Sequence, residues 1–266
     1  MSATTSAAPV LVSDVGESGD VRLLLLHRPA TRNAIDLPLR VALAEQLELA
    51  DATASVRVVV IAGADGVFCS GGDISTMQRA SRDATVPRAQ AAQRVVRAIW
   101  STPKPVLAAV EGPAYGAGTA LAAACDRVVA ARDARFATTF TSVGLAGDMG
   151  IFASLPARVG VARARQMLLL PTPLDGAEAH AAGLVDRVVD PGEAVASAIA
   201  DADRLAQGPP EALGVIKAMF ARPRDPARVL DLEVEHQARL WDTDDFAEGV
   251  AAFREKRRPR FGAARR

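Results

Sequence analysis

The stretch that most limits what this chain can fold into is residues 103–126, reading PKPVLAAVEGPAYGAGTALAAACD. Residues 105–110 form a short apolar run that reads as a buried strand. The small apolar residues after Gly116 suit a tightly packed helix. Residues 112–118 are therefore a strand-to-helix turn, with Gly116, Ala117 and Gly118 opening the helix. A helix start presents unpaired backbone N–H groups and the positive end of the peptide dipoles. An oxyanion or a phosphate can sit there, because glycines let it approach the backbone. A glycine-rich turn without a ligand is the competing reading, and the stretch alone does not separate the two.

Similar punctuation organises the rest of the body. Residues 21–27 (VRLLLLH) read as a buried strand stopped by Arg28 and Pro29, and residues 56–62 (VRVVVIA) as a second strand stopped at Gly63. Between them Asp36 reads as an N-cap with Pro38 in the first helical turn, followed by Leu39, Leu43, Leu47 and Ala50 at helical spacing. Strand, helix, strand is the opening of an α/β fold. Residues 67–73 are a strand edge running into a glycine loop, and 76–88 a polar loop or irregular helix. Residues 89–101 read as a helix, 127–131 as a strand and 136–150 as loop. Helices are expected over 155–170, 176–182 and 193–207, with a short strand at 184–189. After Gly208, Pro209 and Pro210 the pattern becomes helical only, over 211–221, 226–241 and 243–256. In the middle helix Val229, Leu232, His236 and Leu240 share a face. The chain thus divides into an α/β body, residues 1–208, and a helical tail, residues 209–266.

Composition removes several classes of function. A chain of 266 residues that is 50% hydrophobic and 23% charged can bury a large core. Its formal charge of zero gives no global reason to expect a nucleic-acid partner. No apolar run approaches the ~18 residues of a membrane span. The start, MSATTSAAPVLVSD, lacks the basic and apolar regions of a secretory signal. Cys69 and Cys125 cannot build a disulfide framework; they read as packing residues in a reducing compartment. A cytoplasmic location is expected. His27, His180 and His236 show no ligand spacing, so no metal is expected.

Five segments in order resemble the enoyl-CoA hydratase/isomerase (crotonase) superfamily. They are Arg28-Pro29 with Asn33-Ala34, Phe68 through Asp73 (FCSGGD), residues 110–118 (VEGPAYGAG), residues 181–185 (AAGLV) and residues 253–261 (FREKRRPRF). The resemblance implies an α/β fold with a ββα spiral core and a C-terminal helical trimerisation region. It also implies that the backbone N–H groups of Ser70 and Ala117 form an oxyanion hole holding the thioester oxygen while an enolate forms. Substrate and coenzyme A contacts are implied at Arg28, Arg32, Ala34, Ser70, Gly71, Gly72, Asp73, Ile74 and Gly116. Phe253 and Lys256 would reach a neighbouring subunit's coenzyme A site. The partner would be an acyl-CoA thioester, with no cofactor beyond the coenzyme A of that substrate, no nucleic acid and no membrane. The assembly would be a homotrimer or a dimer of trimers. The basic end, running to Arg265 and Arg266, reads as a solvated tail.

Two positions depart from the family's hydratases. The glutamates that position and split water belong, by the same alignment, at Ala120 and Phe140, and neither side chain can transfer a proton. The resemblance offers Asp148 instead. It lies in GLAGDMG, residues 144–150, at the place of a catalytic aspartate in dienoyl-CoA isomerases and ring-forming epoxide isomerases. Apolar surroundings would suit that role, whereas a cap on the helix starting at Ile151 is the structural alternative. The leading expectation is an enoyl-CoA double-bond isomerase with Asp148 as acid/base. An atypical hydratase (a lyase) and a non-catalytic acyl-CoA-binding homologue are the alternatives. The acyl pocket would draw on the 76–100 and 136–152 segments.

Overall fold

A computed structural model describes residues 8–220 and 226–262 of the chain. In order, the elements are β1 (Val10–Val15), β2 (Val21–Leu26), α1 (Leu37–Ala52), β3 (Val58–Gly63), α2 (Arg82–Ser101), β4 (Val106–Val110), β5 (Pro113–Tyr115) and α3 (Ala117–Ala124). There follow β6 (Arg127–Ala131), β7 (Arg135–Ala137), α4 (Ile151–Val159), α5 (Val161–Leu169), β8 (Leu174–Asp175), α6 (Gly176–Ala181), β9 (Arg187–Val189) and α7 (Ala194–Ala206). The tail is α8 (Pro210–Phe220), α9 (Pro226–Trp241) and α10 (Asp244–Glu255).

Apolar runs without alternation suit strands covered on both faces, and β3 and β4 are of this kind. They form the centre of a six-stranded sheet in the order β1-β2-β3-β4-β6-β9, antiparallel between β1 and β2 and parallel elsewhere. The main core lies between one face of this sheet and helices α1 to α4. The other face is covered by α7, whose Ala198, Ala202 and Ala206 pack on Val60, Leu107 and Val129. A second, three-stranded sheet, β5-β7-β8, stands beside the first. Its β5 follows directly on β4 and leads into α3, so the turn between the two sheets carries the glycines.

Helix α1 begins as expected, with the Asp36 carboxylate accepting from Leu39 N–H at 2.9 Å. Several other expectations need correction. The 112–118 turn contains β5, and the 136–150 segment supplies β7 and a 3-10 turn at Thr139–Val143. The single helix expected over 155–170 is broken at Gly160, whose φ of 77° no right-handed helix accommodates. Much of the 76–88 segment is regular, because Ser81 caps α2 and Pro87 is carried inside it. Residues 67–73 pair through isolated bridges, Cys69 with Ala114 and Gly72 with Ile35.

The tail meets the body mainly through α8. There Lys217 Nζ lies 2.7 Å from Asp126 and donates to the Lys104 carbonyl at 2.8 Å. Helices α9 and α10 leave Val234, Trp241 and Phe253 exposed. Ala221, Arg265, Arg266 and the first seven residues of the chain lie outside the described residues, as does the side chain of Val229. Among the described residues no helix is long and apolar enough to cross a membrane.

All eight residues of α3 are buried, and its second residue touches the neighbouring chain segment directly. A Cβ on Gly118 would lie 2.5 Å from the Cys69 carbonyl oxygen. Alanine exceeds glycine in helix propensity by about 1 kcal/mol, so propensity alone predicts that Gly118→Ala stabilises. The close approach predicts the opposite, a loss of about 1–3 kcal/mol by overpacking. Urea denaturation of the variant decides, and a gain in stability would overturn the packing account.

Candidate active site

Sequence spacing could not show that the two glycine turns meet; the backbone around Cys69 shows that they do. Phe68 N–H donates to Glu111 O at 2.8 Å, Cys69 N–H to Pro113 O at 3.0 Å, and Tyr115 N–H to Cys69 O at 2.9 Å. Ser70 therefore emerges from this pairing alongside Gly116 and Ala117. Gly116 holds φ 50° and ψ −110°, a region closed to residues with a Cβ, and this sets the direction in which α3 starts. Ala117 N–H has no intrahelical acceptor, and none elsewhere among the described residues. Ser70 N–H is engaged: it donates to the Arg32 carbonyl at 3.1 Å, while Ser70 Oγ donates to Thr31 O at 3.0 Å.

The loop that supplies those two carbonyls is braced from within. Asn33 is fully buried, donating through Nδ2 to Ala64 O at 3.0 Å and Val67 O at 2.6 Å and accepting from Arg28 N–H at 2.9 Å. The Arg28 guanidinium lies 2.9 Å from Asp73 and 3.1 Å from Asp36, and it also donates to the Ala34 carbonyl. Arg28, Ala34 and Asp73 thus form an internal strut, and the Arg28 cation is committed inside the loop. Asp73 also accepts from Ser75 Oγ at 2.5 Å. The Ser75 hydrogen bond first, and Arg28 after it, hold the Asp73 carboxyl below the usual carboxylate range against the opposing effect of burial. Gly71 and Gly72 lie in the turn, with Gly71 O accepting from Ile35 N–H at 2.7 Å. Arg32 and Ile74 are exposed at its rim. Phe253 and Lys256 are exposed at the end of α10, and no hydrogen bond or ion pair among the described residues ties them to the turns.

The two positions at which the resemblance expects a hydratase's acids are apolar in space as well as in sequence. Ala120 is buried in α3, and the Phe140 ring lies 3.8 Å from a Cβ built on Gly116 and 3.5 Å from one built on Gly147. That ring joins the donor turn to the segment carrying Asp148. Neither structural expectation for Asp148 holds. It does not cap α4: Gly150 is the N-cap residue, and no side chain bonds the first turn. Its surroundings are not apolar either, because Arg40 Nη2 donates to Oδ2 at 3.0 Å. The Asp148 side chain is 37% exposed and that of Arg40 only 3%. No hydrogen bond among the described residues reaches Asp148 Oδ1. That oxygen is the one available to a reacting proton.

Arg40 is the residue that sequence reasoning missed. It occupies the buried stripe of α1 with Leu43, Ala44 and Leu47, and a charge on such a stripe is the signal that marks it. Arg88, on α2, accompanies it by accepting from Arg40 Nη1 through its carbonyl at 3.0 Å. The cysteines are inert: burial pushes both thiols up to about 12.

A profile of the enoyl-CoA hydratase/isomerase family matches residues 16–264. A probable enoyl-CoA hydratase of Rhodobacter capsulatus is 37% identical over 248 residues, covering 92% of this chain and 95% of that protein. A 1,2-epoxyphenylacetyl-CoA isomerase of Escherichia coli is 35% identical, covering 91% and 94%. The crystal structure of an enoyl-CoA hydratase from Polaromonas sp. JS666 superposes with a TM-score of 0.90 at 33% identity, over 95% of this chain and 99% of that one. The fold of the chain is therefore the crotonase fold, with its C-terminal helices present.

The strut carries a pH signature. The Asp73 carboxyl is lowered in the folded chain relative to about 3.9 when unfolded. Its stabilisation is therefore complete above about pH 4 and is lost as pH falls through the folded value. The stability difference between the wild type and Asp73→Asn should be constant from about pH 5 to 7 and shrink below about pH 4. A difference that stays constant down to about pH 2.5 would remove Asp73 from the strut.

Proposed function

The chain belongs to the enoyl-CoA hydratase/isomerase family, and from that premise we propose that it moves the double bond of an enoyl-CoA thioester, with Asp148 as acid/base. The observation that carries this reading is the carboxylate inventory. By the resemblance Ala120 and Phe140 stand where a hydratase has its two water-splitting acids; both are buried and apolar, and Asp148 supplies a single carboxylate with one oxygen unpartnered among the described residues. Hydration needs an acid and a base acting on one water, whereas a double-bond shift needs one group that takes and returns a proton. Relatives of similar identity are named both hydratase and isomerase, so the choice rests on these carboxylates.

In this reading Oδ1 takes a proton from C2 of a 3-enoyl thioester, and the C–H electron pair moves into the carbonyl to give a dienolate. Its oxygen accepts from Ala117 N–H and Ser70 N–H, where backbone donors oppose the developing charge. The same proton is then delivered to C4, leaving the double bond between C2 and C3. The thioester oxygen must take Ser70 N–H from the Arg32 carbonyl, so binding and a small displacement of the 28–34 loop are one event. Arg40 holds the other carboxylate oxygen and fixes the orientation of Asp148.

Asp148→Asn keeps an oxygen for Arg40 but removes the base, so turnover of 3-enoyl-CoA should fall by ~10²–10⁴. Stability should fall by about 1–3 kcal/mol, the scale of a hydrogen bond to a charged group, because a buried guanidinium loses its counter-ion. Spectrophotometric assays with 3-enoyl-CoA and 2-enoyl-CoA separate the alternatives. Wild-type turnover by Asp148→Asn would end the mechanism. Hydration of 2-enoyl-CoA without isomerisation would place the protein with the hydratases, and acyl-CoA binding without either activity with the non-catalytic homologues.

We also propose that the chain assembles as a homotrimer or a dimer of trimers through its tail, residues 209–266. Trp241 and Phe253 are exposed there in one chain, and so short a tail cannot cover them with a core of its own. Light scattering at micromolar concentration should give three or six times the 27.7 kDa chain mass, and a stable monomer would refute the assembly.

A further inference from the structure

Away from the donor turns, the described residues hold a buried cation whose hydrogen bonds are incomplete. The Arg40 side chain, 3% exposed, uses Nη1 on the Arg88 carbonyl and Nη2 on Asp148, and its buried Nε has no acceptor. Nη2 of Arg88 is buried without an acceptor as well. Burial foremost, and then the charge of Arg88, lower the Arg40 pKa, while Asp148 acts in the opposite direction. The remaining titratable neighbour, the Cys69 thiol, is pushed up to about 12 by burial and carries no charge. Arg40 is thus paired with one carboxylate, and the charge of Arg88 lies near enough to act on it, leaving a local charge of +1. Guanidinium does not release its proton at any working pH, so only a second anion can balance the cluster.

The cluster adjoins the reaction centre. Asp148 follows Gly147, which meets the same Phe140 ring as Gly116. We propose that Arg40 and Arg88 form an anion subsite for the terminal carboxylate of the acyl chain, so that the protein takes ω-carboxyacyl-CoA thioesters. A planar carboxylate has two oxygens, one to accept from Arg40 Nε and one from Arg88 Nη2, each as a charge-assisted hydrogen bond. A phosphate of coenzyme A is a poor match for so buried a cation, because it keeps further charged oxygens that need solvent. The inference rests on the acyl-CoA reading of the site, but not on Asp148 being the acid/base.

Saturated thioesters test it without turnover. Succinyl-, adipoyl- and suberoyl-CoA are compared by calorimetry with butyryl-, hexanoyl- and octanoyl-CoA, and free coenzyme A serves as a reference. At one chain length or more the carboxylate-ended thioester should bind wild type about 10-fold tighter or better, the scale of a charge-assisted hydrogen bond. In Arg88→Met, checked by its melting temperature for folding, that ratio should collapse to about 2-fold or less, with Arg88→Lys in between. Methyl-ended thioesters binding as well as their partners at all three lengths would overturn the proposal, leaving water to meet the unpaired N–H groups. Equal losses for both series and for free coenzyme A in Arg88→Met would also overturn it, by placing Arg88 on a phosphate. Failure of the isomerase assay bears on the proposed reaction alone, since the binding ratio is read without it.

Discussion

Everything at this site depends on the backbone of Cys69 lying against β5. Its N–H and carbonyl pair with Pro113 and Tyr115, and the bridge to Ala114 fixes the register. The Cys69 thiol fills the gap that Gly118 leaves by having no Cβ, and it accepts from Gly71 N–H at 3.4 Å. Thr119 locks the same junction from the other side, its hydroxyl donating to Ala114 O at 2.5 Å. Once these contacts form, Ser70 and Ala117 are brought together by covalent geometry. A backbone donor pair built this way tolerates change in nearby side chains, which is why one fold can host several reactions.

The 28–34 loop works against that rigidity. Arg32 and Asn33 both hold positive φ, an uncommon conformation for residues with a side chain. Asn33 sustains it through three hydrogen bonds, and Arg28 through its carboxylate pair. The Arg32 carbonyl, offered to Ser70 N–H, results from this bracing. In the proposed reaction a substrate oxygen and this carbonyl would compete for one donor. Affinity for a thioester would then be the difference between two hydrogen bonds and not the worth of one.

Much of this was legible in the sequence because it was written in local signals. Apolar runs marked β2, β3, β4 and β6, the Asp36 cap marked the start of α1, and small residues marked the packing of α3. The family resemblance supplied what spacing cannot, the meeting of two turns more than forty residues apart. The short strands β5, β7 and β8 escaped notice because two or three residues carry no period; they exist only through their partners. Asp148 was found as a residue but not as an environment. Its partner Arg40 lies 108 positions away, and an arginine on a leucine-rich stripe reads as one more surface charge until the fold buries it.

Ala120 and Phe140 shape the site beyond the choice of reaction. With these residues between the donor turn and Asp148, the floor there is apolar, and water held on it would lack partners. Charge lies at one wall, where Arg40 is paired with Asp148 and bonded to the Arg88 carbonyl. A carboxylate paired through one oxygen can still accept a proton at the other, and the cation beside it stays charged whichever form the acid takes. In the proposed reaction the wall would keep a positive charge throughout, while the enolate's negative charge would develop at Ala117. That separation would suit a proton moved along one face of an acyl chain, with the proposed anionic chain end seated against the wall.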